Sequence, residues 1–71
     1  MRAKFIMFTE EATHASCNCY TWEELQMCLE TFEEHTKQER EHFVFVMNGD
    51  VLNYRQMMAV CDALPSKHDL I

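Results

Sequence analysis

The chain has 71 residues, 48% of them apolar, and carries twelve acids against six bases for a formal charge of −6. That length allows one domain, 1–71, and that composition supports a folded core rather than a disordered or fibrous chain. The charge argues against direct binding of nucleic acid, which needs Lys and Arg at the phosphates, and against an anionic membrane surface.

In chain order, the first apolar run is Phe5-Ile6-Met7-Phe8, within Lys4 to Thr9. It is short and aromatic with a β-branched member, which predicts a strand. It is too short for a signal-peptide core, and no stretch reaches the length needed to cross a bilayer, so a cytoplasmic location is expected. Glu10 to His14 reads as a loop. Ala15, Cys17 and Cys19 then alternate with Ser16, Asn18 and Tyr20. A period of two predicts a half-buried second strand.

Thr21-Trp22-Glu23-Glu24 has the form of a capping box. The Thr21 hydroxyl can accept from the Glu24 N–H while the Glu24 carboxylate reaches back to the Thr21 N–H. Leu25, Cys28, Leu29 and Phe32 follow as one apolar stripe, with Trp22 at its edge. The helix should end near Thr36 to Gln38, where Lys37 suits the negative end of the dipole.

Phe43-Val44-Phe45-Val46, within His42 to Met47, predicts a third strand. Asn48-Gly49 signals a type I′ turn, leading into a short strand from Asp50 to Leu52. Asn53-Tyr54-Arg55-Gln56 is a second capping box, opening a helix whose stripe is Met57, Val60, Cys61 and Leu64. Pro65 stops it. The segment 66–71 reads as a flexible tail.

The expected architecture is α+β and two-layered, in the order ββαββα. A four-stranded, mainly antiparallel sheet would carry both helices on one face. Strand, strand and helix are written twice, with the capping boxes 32 residues apart (53 − 21). The first and third strands are apolar on both alternate sets. Helices on one side would therefore leave exposed either Ile6, Phe8, Val44 and Val46, or Phe5, Met7, Phe43 and Phe45. An exposed patch of that kind marks an interface. Ile6, Phe8, Val44 and Val46 are the expected self-association set, in a homodimer or larger assembly. The competing cover is the chain's own tail, through Leu70 and Ile71.

Chemistry is sparse. Cys17, Cys19, Cys28 and Cys61 are expected as free thiols, given no secretory signal. His14, Cys17 and Cys19 are weak candidates for a metal or redox site, with Cys28 and Cys61 elsewhere. Their one-residue spacing and the lack of a second ligand pair depart from zinc signatures, so no metal or cofactor is expected. A single glycine, Gly49, excludes Gly-rich phosphate loops. No nucleophile, base and orienting group stand in a recognisable order, so no catalytic residues and no enzyme activity are expected.

The first helix's outer face carries Glu23, Met27, Glu30 and Glu34. An acidic stripe around one flexible apolar residue suits a basic protein groove. The expected function is a non-enzymatic, self-associating protein-binding module. One form is a small acidic inhibitor or accessory protein, of the kind mobile elements and phages encode, docking on a basic, nucleic-acid-handling partner. The alternatives are a metal- or redox-responsive protein using His14, Cys17 and Cys19, and a small enzyme of unnamed reaction.

Overall fold

A computed structural model describes residues 1–70, the last two by backbone alone. Four strands form, β1 (Ala3–Phe8), β2 (His14–Cys19), β3 (Val44–Met47) and β4 (Asp50–Leu52). The helices are α1 (Trp22–Thr36) and α2 (Tyr54–Cys61), and single 3-10 turns form at Arg40–His42 and Lys67–Leu70. The chain is α+β in the expected order ββαββα. The sheet order is β2-β1-β3-β4, with every neighbouring pair antiparallel.

Local chemistry accounts for the connections. Asn48 and Gly49 take φ of 51° and 84°, the two positive values a type I′ turn requires. The β1–β2 turn closes with the Ala12 N–H donating to the Thr9 carbonyl, at 3.0 Å, and Ala12 takes φ 65°. At Lys37, φ 59° and an N–H bond to the Glu33 carbonyl at 2.8 Å end α1 in a left-handed cap.

The two capping boxes differ. Around α2, Asn53 Oδ1 accepts from the Gln56 N–H at 2.8 Å and Gln56 Oε1 accepts from the Asn53 N–H at 2.9 Å. Around α1 only one half forms. Thr21 Oγ1 accepts from the Glu24 N–H, and its hydroxyl donates to the Glu24 carboxylate, both at 3.2 Å. Asn53→Ala should therefore cost about 1 kcal/mol, read from the urea midpoint.

Alternation sorts the strands into two faces. Phe5, Met7, Cys17, Cys19, Phe45 and Met47 point into one core with Leu25, Leu29 and Phe32 of α1 and Met57 and Cys61 of α2. Phe43 joins it just before β3. Its ring lies 4.8 Å from that of Phe32 and 6.3 Å from that of Phe45, both edge-on, as aromatic quadrupoles favour. The 3-10 turn at Arg40–His42 delays the third strand to Val44, two residues later than its sequence pattern predicts.

In α2 one expected core position is corrected. Val60 is 47% exposed, and Tyr54 and Met58 pack on the core in its place. The regular helix is only eight residues long and ends at Cys61, before the turn that buries Leu64.

The segment after Pro65 is anchored at the start of α1. The Trp22 N–H donates to the Pro65 carbonyl at 2.9 Å. The Ser66 hydroxyl and the Lys67 N–H donate to the Glu23 carboxylate at 2.5 and 2.8 Å. These bonds satisfy one of the orphan donors of a helix N-terminus. They hold residues 65–67 beside the helical layer. The side chains of Leu70 and Ile71, the competing cover for the sheet, lie outside the described residues.

The sheet order reads the same when β1 is exchanged with β3 and β2 with β4. The central β1–β3 pair is antiparallel, as a twofold axis normal to the sheet requires. The strand-strand-helix repetition thus appears in the topology. Its halves are unequal, with six residues in β2 against three in β4.

Candidate functional site

The helices take the face that carries Phe5, Met7 and Phe45. The opposite face carries Lys4, Ile6 and Phe8 of β1, His14, Ser16 and Asn18 of β2, and Val44, Val46 and Val51. Strand register sets Ser16, Ile6, Val46 and Val51 in one row across all four strands. His14, Phe8 and Val44 form a second row, with the His14 ring 5.6 Å from that of Phe8. Ile6, Phe8 and Val46 are half-buried by their neighbours, while Val44 and Val51 are 42% and 70% exposed. The expected self-association set therefore lies on the open side, and Val51 joins it. The sequence pattern passed over Val51 because a three-residue strand shows too little alternation.

Charge separates this face from the rest of the molecule. Among the strand residues of this face there is no Asp or Glu, and Lys4 is the one formal charge. Asp50, the acid within a strand, stands opposite Met47 and so on the other face. A hollow of about 460 Å³ on this face is lined by Lys4, Ile6, Ser16, Asn18, Val46 and Asn48, among others.

The acidic face of α1 is partly engaged at home. Met27 is 68% exposed, and Glu30 and Glu34 are exposed three and seven residues on. Glu23 instead holds the C-terminal segment. The Ser66 hydroxyl, then the Lys67 N–H, bring its carboxyl down to about 2. A carboxylate lowered on folding contributes above its unfolded value of about 4.5, and that contribution fades as pH falls toward about 2. The Lys67 amide proton should therefore shift in NMR spectra across this window. Glu23→Gln should abolish that titration while leaving the core signals in place.

Glu33 has Lys37 four residues on, yet it pairs with Arg40. Its carboxylate accepts from Arg40 Nη2 at 2.6 Å, from Nε at 3.1 Å and from the Arg40 backbone N–H at 3.0 Å. Arg40 Nη1 also donates to Gln26 Oε1 at 2.9 Å. The guanidinium beside it holds the Glu33 carboxyl below its usual range. This clamp ties the 3-10 turn back onto α1.

The cysteines correct the expectation of four free thiols. Cys17 and Cys28 form a disulfide, with Cα atoms 6.7 Å apart and a sequence separation of eleven. Strand parity turns Cys17 toward the helical layer, and helix phase brings Cys28 over it at the edge of the α1 stripe. Cys19 and Cys61 are free and buried. Burial first, and the Glu24 carboxylate second, raise the Cys19 thiol. Burial, then the neighbouring Cys19, push Cys61 up to about 11. Thiols raised in this way are poor nucleophiles.

The weak metal candidates are not assembled. His14 lies on the open face of β2, whereas Cys17 and Cys19 point into the core. Among the described residues, no group of three or more His, Cys, Asp or Glu side chains stands where it could hold a metal ion.

A groove of about 590 Å³ runs along the outer side of β2 and the flank of α1. Met7, Cys17 and Phe32 reach it from the core, and Met27, Cys28 and Thr31 wall it on the helix side. Glu24 stands at its rim. Among the described residues, no helix is long and apolar enough to cross a membrane. No protein-family model, curated protein or solved structure matches the chain.

Proposed function

We propose that the chain is a non-enzymatic protein-binding module that works as a homodimer, paired through its open sheet face. One observation carries this reading. A chain of charge −6 places no acid among the strand residues of a face built around Ile6, Phe8, Val44, Val46 and Val51. Two copies related by a twofold axis bring these faces together without opposing any carboxylates. A basic partner on this side would meet Lys4 and no acid among the strand residues.

The face is small. Four strands about 4.8 Å apart and up to six residues long span on the order of 400 Å² in projection. A standard interface buries about 800 Å² per partner, so micromolar rather than nanomolar affinity is expected. Sedimentation velocity across the micromolar range tests this directly. A single species of 8.5 kDa throughout would overturn it.

The acidic side of α1 then faces away from the pair. Met27, Glu30 and Glu34 supply a negative patch for a basic protein, as in a small acidic inhibitor or accessory protein. Glu23 leaves this patch, because it is committed to Ser66 and Lys67. A cytoplasmic setting remains part of the reading. Glutathione there would keep Cys17 and Cys28 reduced, and the fourteen-residue core then carries the fold without the bond.

A further inference from the structure

Among the described residues β2 pairs on one side only, with β1. A sheet edge exposes the N–H and C=O groups of alternate residues. Natural edges are usually blunted by lysine, proline or inward-pointing charge. His14–Cys19 has no Lys, Arg, Asp, Glu or Pro. Beside this bare edge lies the groove walled by Met27, Cys28 and Thr31. Its volume falls within the roughly 300–1,000 Å³ of ordinary binding pockets.

We propose that the groove between β2 and α1 docks an extended, basic peptide segment of a partner protein, which adds to β2 as a fifth strand. Adding a strand supplies main-chain hydrogen bonds for affinity, and alternate side chains supply specificity. On this edge, one alternate set of the incoming side chains would enter the groove against Met27, Cys28 and Phe32. Lysines or arginines on the segment would reach Glu24 at the rim and Glu30 and Glu34 beyond it.

Charge selects the occupant. Glu24 is the one formal charge lining the groove, beside His14 and His35, and no Lys or Arg lines it. A second copy added edge to edge would bring two α1 helices side by side with their acidic residues adjacent, in chains that each carry −6. A basic segment meets attraction where a second copy meets repulsion. The core shared by Cys17, Cys19, Leu25, Leu29 and Phe32 holds α1 against β2 whether or not the Cys17–Cys28 bond is formed, so the groove is present before the peptide arrives. This inference rests on reading the chain as a protein-binding module, but it uses a different surface from the dimer face.

The test titrates the ¹⁵N-labelled full chain with a short peptide alternating lysine and valine. Two controls accompany it. In one, glutamate replaces lysine. In the other, the same lysines and valines stand in two blocks. The alternating basic peptide should bind, with amide shifts concentrated at His14–Cys19 and on α1 from Glu24 to His35. Thr31→Arg, which fills the groove from an exposed position, should weaken binding about ten-fold or more, as should Glu30→Lys combined with Glu34→Lys. Equal binding of all three peptides, shifts centred on Ile6 and Val46, or no shifts at millimolar peptide would each overturn the proposal. Sedimentation of the same samples keeps the two readings apart. A dimer that ignores the peptide defeats the groove alone, and a monomer that binds it defeats the dimer alone.

Discussion

Ile6→Glu and Val44→Glu should each yield a folded 8.5 kDa monomer under conditions where the parent chain sediments as a dimer. Both residues lie on the open face, so a glutamate there remains solvated in the monomer and should leave its circular dichroism and urea midpoint nearly unchanged. In the dimer the twofold axis doubles the insult, because each chain presents its new carboxylate to an apolar surface. Removing one partner of a buried ion pair, which also leaves an uncompensated buried charge, costs about 3–5 kcal/mol. At about 1.4 kcal/mol per decade, even the lower figure raises the dissociation constant about 100-fold, past the range of ordinary sedimentation. Glu30→Lys serves as the control, since it changes charge on the far side of the molecule and should leave the dimer intact. A parent chain that is itself monomeric, with both variants equally stable, would identify the valine and isoleucine rows as ordinary strand surface.

Breaking the β2–α1 cross-link should have the next largest effect. The bond closes a loop with a sequence separation of eleven residues. Loop-closure entropy for that length gives about 3 kcal/mol. In a domain of this size such a loss lowers the melting temperature by about 10–20 °C. Cys17→Ser combined with Cys28→Ser should show that drop in calorimetry, and a dithiol reductant should bring the parent chain to the same value. The reduced protein should still melt cooperatively, because Phe5, Met7, Phe32, Phe43 and Phe45 pack independently of the bond. Unchanged melting on reduction would mean that the cross-link does not form in solution. Cys19 and Cys61 should resist alkylation until the chain unfolds, for the reasons of burial already given.

Short-range chemistry was the legible part of this fold. Asn48-Gly49 and the Asn53 box act within four residues, so their geometry can be read from adjacent letters. Two-sided apolar strands likewise implied an uncovered face. The expected set, Ile6, Phe8, Val44 and Val46, lies on the open side. What the letters did not carry was the register that lines it up with Ser16 and Val51. Long-range partners were beyond reach. Glu23 looked like one more member of an acidic stripe, but its partner Ser66 lies 43 residues away. No local pattern joins Arg40 to Glu33 and Gln26, seven and fourteen residues away. For Cys17 and Cys28 each element's phase was right, but a prior drawn from redox compartment outweighed it. The groove left no trace in the letters because it arises only where an edge strand and a helix flank run side by side.

The near-twofold order of the sheet carries one more consequence. Each strand-strand-helix half supplies one central strand, and three residue pairs, Ile6–Val46, Met7–Phe45 and Phe8–Val44, make the seam between them. The connection from Lys37 to Phe43 is all that fixes which second half meets which first half. If that connection straightens, the β3-β4-α2 half of one chain can pair with the β1-β2-α1 half of another and rebuild the same seam. The Cys17–Cys28 bond lies within the first half and does not oppose the exchange. The Arg40–Glu33–Gln26 clamp, which folds the connection back onto α1, is what favours the closed chain over its domain-swapped counterpart.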